Sequence, residues 1–507
     1  MLNRFPVEAK LLLDEVVLCG GLWHPRIMII LSRQLLHSLL PVLWRTWVFV
    51  VLLAPEFSRA AAPAAALVRV SPRDARYFEL TDGTPYIPIG LNMIAPPGNR
   101  FEGMAEWMDE LAKQGGNFIR VWLSNPYFDV EHVRSGEYDE EKARRIDELL
   151  AHAAARGIRV KMCMEHFRHL GEGTQRWAAK PLHLAQNGGP ATNTAHFFDG
   201  EAGRRQFQEK IGWYGRRFGT HPYVFGWELW NEMNAIRAGD YMAWTEVMLP
   251  HLHRAFPSNL CMQSLGSFDT DGVRAHYRRL ALMPGNDVAQ VHRYLDLGAR
   301  LTVCHGPVDV LAADAVRELL AVKPGKPVLL AESGAVEPNH SGPFKLYGAD
   351  TNGVILHDVL FAPFFAGAAG PGHIWHWDSY VARNHLWFHF GRFAEAVKGV
   401  DPPAEGFEPQ LVEVGPLRVY ALVGRREVLL WCRDGRATWQ TELQQGQAPP
   451  EVRDFRLSMQ PFKISGVARA SAYDPWKNQT QAVEVKTGGE LVLPPFQRSL
   501  VVRILRK

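Results

Sequence analysis

Between residues 66 and 400 the chain switches from a short apolar segment to an amphipathic one, and it does so eight times. That alternation constrains the fold more than any other feature. Parallel strands need a long crossover between them, and they are buried on both faces, so they read as apolar runs separated by helical periodicity. The apolar runs are PYIPIGLN (85–92), NFIRVWLS (117–124), IRVKMCM (158–164), YVFGWELW (223–230), NLCMQSL (259–265), DVAQVH (287–292), PVLLAES (327–333) and HIWHWDS (373–379). Segments such as MAEWMDELAKQG, EEKARRIDELLAHAAARG and DAVRELLAV follow them, with apolar residues at three- and four-residue spacing and Gly near several ends. Eight such units predict an α/β fold, a (β/α)8 TIM barrel over 66–400, with its largest loop at roughly 166–200 after the third strand.

Past Asp401-Pro402-Pro403 the texture changes to RVYALVG, EVLLWC, AVEVKTGGELVLPP and SLVVRILRK, bounded by Gly, Pro and Asn. These read as antiparallel strands, and residues 401–507 are expected to form a small β-sandwich accessory domain, more a buttress for the barrel than a sugar binder. Tyr473 and Trp476 in AYDPWKNQT are its candidate sugar contacts.

Residues 1–62 read as a leader. Arg45 precedes the apolar run Trp47 to Ala54, and SRAAAPAAA follows, which is the charged, apolar, small-residue order of a secretory signal near residues 45–62. The expectation is a secreted or periplasmic protein that meets the membrane only transiently through this leader. The apolar stretches flanking Arg45 fall short of the roughly 18–20 residues that span a bilayer, so a membrane anchor is the minority reading.

Lys+Arg 56 against Asp+Glu 53 gives a net charge of +3, too little over 507 residues to drive binding to nucleic acid. Five cysteines, without a CxxC or a His-Cys cluster, indicate neither a disulfide framework nor a zinc site. No metal or organic cofactor is expected. Sixteen Trp, 13 Tyr and 26 Phe supply flat apolar faces of the kind that sugar rings stack on.

In a barrel of this type the chemistry sits where the strands end. Two carboxylates stand out there: WELWNE closes the fourth strand with Asn231 and Glu232, and LLAES closes the seventh with Glu332. Hydrolysis of a glycosidic bond needs two carboxyl groups flanking it, about 5–5.5 Å apart when one is a nucleophile and wider when a water must fit between them.

On these residues the chain resembles the clan A retaining glycoside hydrolases, and within them the cellulase-like enzymes of glycoside hydrolase family 5. The opening FELTDGTPYIPIGLN, Arg120 in the second strand, His292 and Tyr294 in VHRY and Trp375 in the eighth strand support the likeness. The resemblance implies that Glu232 is the acid/base and Glu332 the nucleophile. It further implies that Asn231 bonds the sugar 2-hydroxyl, that Arg120 and Tyr294 hold Glu332 ionised, that His292 orients the acid/base or a hydroxyl, and that Trp375 floors the subsite at the cleavage point. Where such cellulases often carry paired histidines after the third strand, this chain has Glu165-His166-Phe167, so the substrate does not transfer by analogy.

His166, Trp122 and Trp377 are further candidate substrate contacts. Glu228, four residues before Glu232 on the same strand, is read as a buried partner for Arg120, and Lys161 as a structural lysine rather than a Schiff-base one. The expected activity is endo-acting hydrolysis of a β-glucan or β-mannan polysaccharide or its oligosaccharides. A carbohydrate-binding barrel without activity and a transglycosylase using the same residues are the rivals.

Overall fold

The computed structural model describes residues 65–167, 181–464, 467–486 and 489–506. The expected leader and signal segment, and part of the loop after the third strand, lie outside the described residues. None of the described helices is long and apolar enough to cross a membrane.

The chain opens with a small antiparallel sheet, β1 (Val68–Val70), β2 (Phe78–Leu80) and β3 (Pro85–Tyr86), so PYIPIGLN is not one strand. Pro88 lies between its two halves, and a residue without an N–H breaks a ladder. Next come β4 (Gly90–Asn92), β5 (Phe118–Trp122), β6 (Arg159–His166), β7 (Val224–Asn231) and β8 (Leu260–Met262), paired in that order as one parallel ladder. β9 (Ala289–Asp296) and β10 (Val328–Val336) form a second parallel ladder. Helices such as Phe101–Lys113, Glu140–Ala155, Glu201–Phe218, Tyr241–Ala255 and Val308–Ala321 lie between the strands. β5, β7, β9 and β10 are buried at every residue, which is why they read as apolar runs and not as alternation.

Single hydrogen bonds reach across the two gaps between the ladders. Phe268 donates its N–H to the His292 carbonyl at 2.7 Å, and Asp287 to that of Cys261 at 2.9 Å. On the other side Ile374 bridges to Ser333, and its carbonyl accepts the Asn92 N–H at 3.1 Å.

Several expected strands are shorter than read, the fifth and the eighth most clearly. In 373–379 only the bridge at Ile374 is extended pairing, and residues 377–382 form a π-helical turn. Gly370-Pro371-Gly372 leads into this segment, a run poor in donors and in stiffness. β8 stops at Met262 because the next two side chains bond the neighbouring strand instead: Gln263 Nε2 donates to the Trp230 carbonyl at 2.7 Å, and Ser264 Oγ to the same oxygen at 3.3 Å.

The carboxyl-terminal region is β-rich. β11 (Glu408–Val414), β12 (Leu417–Val423), β13 (Glu427–Asp434), β14 (Glu451–Val452), β15 (Arg456–Ser458), β16 (Val467–Asp474), β17 (Gln479–Ala482), β18 (Glu484–Lys486), β19 (Glu490–Val492), β20 (Phe496–Gln497) and β21 (Ser499–Arg506) follow one another. Six of them make an antiparallel sheet in the order β11-β12-β13-β21-β16-β17, beside a three-stranded sheet β15-β19-β18 and the pair β14-β20. The large sheet is apolar on both faces. Val419, Ala421, Leu430, Val502 and Ile504 pack with Leu457, Leu491 and Phe496 of the small sheets. The alternate residues Tyr420, Leu422, Leu429, Trp431 and Val501 join the core of the parallel-strand region. Residues 65–507 accordingly form one compact unit.

Candidate active site

Arg120 on β5 organises the carboxyl ends of the strands. It is fully buried, and its guanidinium is shared among four oxygen-bearing side chains, with the Cys163 sulfur 3.9 Å from Nη2. Nε donates to Glu228 Oε2 at 2.7 Å, Nη2 to Asn231 Oδ1 at 2.7 Å, and Nη1 to Asn92 Oδ1 at 3.3 Å and to Glu332 Oε1. Tyr294 donates its hydroxyl to the other Glu332 oxygen at 2.9 Å.

Parallel pairing explains why distant residues meet. In register, His292 on β9 stands beside Glu332 on β10, Tyr294 beside Gly334, and His166 on β6 beside Asn231 on β7. The β9–β10 register shifts between Leu330 and Glu332, an irregularity of the kind that re-aims a side chain at a site. Gly334 has φ +137°, and a Cβ there would lie 2.7 Å from the Tyr347 hydroxyl, which itself accepts the Ala335 N–H at 2.6 Å. Only glycine fits this point of β10.

Glu232 ends β7 in the left-handed region, φ 54° and ψ 50°, a strained setting for a residue with a Cβ. Its N–H donates to Ser264 Oγ at 3.3 Å, which fixes the turn. His292 Nδ1 lies 2.9 Å from Glu232 Oε1 and 3.3 Å from Glu332 Oε2. The ligating atoms of Glu232, His292 and Glu332 all fall within 4.8 Å of one another. The Glu232 side chain is 16% exposed and that of Glu332 3%, so the pair grades from solvent into the core.

Burial raises the Glu332 carboxyl above its ordinary range, with Arg120 and Tyr294 opposing it. Glu228, despite its burial, is held below that range by Arg120 and Lys161. Burial drives His292 well below the usual imidazole range, and Arg120 and Lys161 add to it, so the ring is neutral. Lys161 is buried too; desolvation brings it down to about 8 against the pull of Glu228, whose Oε2 lies 3.3 Å away, and Gln290 Oε1 accepts a further Lys161 hydrogen bond.

The aromatic candidates form a wall on one side. The His166 ring stacks on Trp122 at 4.6 Å, Trp122 lies 5.1 Å from Trp375, and Trp375 meets Trp377 edge-on at 5.8 Å. Trp375 is partly exposed, whereas Trp122, His166 and Trp377 are buried, His166 with its Nδ1 2.6 Å from Ser124 Oγ. Tyr473 and Trp476 face inward: Trp476 packs on His357 and His389 and donates to Ser499 Oγ at 3.1 Å, while the Tyr473 hydroxyl bonds Asn478.

Sequence reasoning passed over Asn92, whose amide donates to the carbonyls of Ala331 and His373 at 3.0 and 3.1 Å. The signal was a polar residue closing an apolar strand. It also passed over Ser264, Gln290 and Tyr347, for which no local pattern stands out. The four described cysteines are free and buried.

The arrangement presents two closely spaced carboxyl groups, one beneath an arginine and a tyrosine, the other strained at the rim. Residues 82–352 match the sequence model of the family described as Cellulase (glycosyl hydrolase family 5). Among solved structures, one described as a glycoside hydrolase has 14% identity and a TM-score of 0.55, covering 88% of this chain and 97% of the other. A glycoside hydrolase family 5 protein from Bacteroides vulgatus has 15% identity and a TM-score of 0.53, covering 87% and 93%. A further glycoside hydrolase structure from that organism has 13% identity and a TM-score of 0.54, covering 87% and 83%. No curated protein matches the sequence. At these identities the structural likeness speaks for the fold alone.

Proposed function

The chain belongs to glycosyl hydrolase family 5 and is a glycoside hydrolase; from that membership we propose that it cleaves β-linked polysaccharide, a β-glucan or β-mannan, at internal bonds and with retention. The two parallel ladders are read as one closed (β/α)8 barrel, the β-rich region as its buttress, and residues 1–62 as a leader for export.

The observation that carries the mechanism is the spacing of the carboxyl groups. One oxygen of Glu232 and one of Glu332 lie within 4.8 Å of each other, with His292 Nδ1 between them. Such closeness suits direct attack by a carboxylate and leaves little room for an intervening water. Glu332 attacks the anomeric carbon while Glu232 gives its proton to the departing oxygen. Forming the glycosyl ester neutralises Glu332, which removes an anion beside Glu232 and favours release of any proton it regains. Glu232 then takes a proton from the attacking water, and the ester bond breaks. Arg120 and Tyr294 hold the Glu332 oxygens in line, Asn231 is placed by Arg120 to meet a sugar hydroxyl, and neutral His292 orients Glu232. Trp375, the partly exposed member of the aromatic wall, receives the sugar face; Trp122, His166 and Trp377 back it.

The test is hydrolysis by the full chain of β-glucans, mannans, xylans and aryl β-glycosides, with Glu332→Gln and Glu232→Gln alongside. Expected is cleavage of one polymer with an early fall in viscosity, lost in both variants. Activity surviving Glu332→Gln removes the nucleophile and the mechanism with it. Release of single sugars without a viscosity fall overturns the endo assignment, and transfer products at high sugar concentration favour a transglycosylase.

A further inference from the structure

The geometry points to Lys161 and Glu228 as a positioning pair that sets how firmly Arg120 holds Glu332 in its charged form. The inference rests on Glu332 being the nucleophile. Four charged side chains lie in a row with at most 3% exposure: Lys161, Glu228, Arg120 and Glu332. They come from β6, β7, β5 and β10, so the row crosses the interior of the strand region.

The order of contacts gives the row its leverage. Glu228 Oε2 receives Arg120 Nε at 2.7 Å and faces Lys161 Nζ at 3.3 Å, so a single oxygen is divided between two cations. Arg120 in turn divides itself between Glu228 and Glu332. Two cations and two anions sum to zero, and in so dry an interior their mutual fields are screened weakly.

Discharging Lys161 leaves the row at −1. The site that then takes a proton is Glu332, which burial already raises, and not Glu228, which its two cations hold low. Discharging Glu228 leaves the row at +1 and frees Arg120 for Glu332. The other groups near the row do not follow the same change. Tyr294 and Cys163 stay protonated because burial raises both, and His292 stays neutral because burial lowers it. Glu232, the acid/base, governs the opposite limb of the pH profile.

The acid limb of kcat/KM reads the ionisation of the essential base in the free enzyme. In the full chain, Lys161→Gln is expected to move that limb to higher pH by about one unit, and Glu228→Gln to move it to lower pH by a similar amount. The double variant restores zero charge and returns the limb to the wild-type position, and Lys161→Arg leaves it there. Side chains that only fill space would lower kcat or the melting temperature without moving the limb. Limbs that stay fixed, or that move the same way in both single variants, overturn the proposal. Should Lys161→Gln not fold, the downward shift in Glu228→Gln and the fixed limb in Lys161→Arg decide it. A wild type that cleaves no β-glycoside brings down the nucleophile assignment and this proposal together, whereas an active enzyme with unmoved limbs brings down the proposal alone.

Discussion

The strand interior and the seam with the β-rich region both bury arginine against carboxylate, yet they use the pairing differently. At the seam each arginine closes on one aspartate. Arg433 grips Asp358 through Nε and Nη2 at 2.7 and 3.0 Å, and Arg418 grips Asp309 at 2.7 and 2.8 Å. Both aspartates sit in the helical layer, on Val354–Phe365 and Val308–Ala321, so each fork ties a strand of the large sheet to a helix. In the interior, Arg120 spreads one guanidinium over Glu228, Asn231, Asn92 and Glu332. A closed fork holds two layers together, even though burial still raises Asp358 to about 6. The divided one holds Glu228 low while burial keeps Glu332 raised, so the two carboxylates that share it differ in proton affinity. The same residue types thus tie layers at the seam and, under the proposed mechanism, serve reactivity in the interior, and the number of carboxylates per arginine separates the two.

The sharpest contrast comes from removing the carboxylate on each side. Glu332→Gln is expected to lower kcat/KM by about 10⁴-fold or more, since it deletes the proposed nucleophile, while the melting temperature changes little, because the amide keeps the shape and Glu228 still meets the Arg120 charge. Steady-state kinetics beside thermal melting measure both. Asp358→Ala is expected to do the reverse, costing about 3–5 kcal/mol of stability by stranding the Arg433 charge, with kcat unchanged in the folded fraction. Denaturant unfolding and active-site-normalised rates check it. A Glu332→Gln chain that melts early, or an Asp358→Ala chain that loses kcat while folded, would dissolve the distinction.

How much of this was legible beforehand follows from where each signal lies. The parallel strands are readable because burial on both faces makes them continuous apolar runs, and the candidate carboxylates are readable because polar residues interrupt those runs: Asn231 and Glu232 after WELW, and Glu332 after LLA, although β10 continues past it to Val336. The meeting of Arg120 with Glu228 was also foreseen, from strand alternation. What escaped depends on partners far apart in sequence. Asn92 takes its meaning from the Ala331 and His373 carbonyls, and the end of β8 from side chains that replace a ladder. Trp476 is a candidate sugar contact by sequence within a region read chiefly as a buttress, and its packing on His357 and His389 comes from residues about 90–120 positions away. The two apolar faces of the large sheet were hidden for a similar reason, since a strand buried on both sides loses the alternation that marks a sheet with one wet face.

Exchanging arginine for lysine keeps the charge and removes the fork, so it isolates geometry on each side. Arg120→Lys is expected to cost about 10²-fold in kcat, because one ammonium cannot meet Glu228, Asn231 and Glu332 together and the preorganised field at Glu332 is lost. That is about 2.7 kcal/mol of barrier. Arg418→Lys keeps a cation beside Asp309, which retains the Tyr420 hydroxyl at 2.9 Å as a second donor. It is therefore expected to cost only about 1 kcal/mol of stability, the worth of a single net hydrogen bond, and nothing in kcat. Equal losses of stability from the two exchanges, with activity intact in both, would mean that Arg120 is a structural tie like those at the seam and that its several acceptors carry no catalytic consequence.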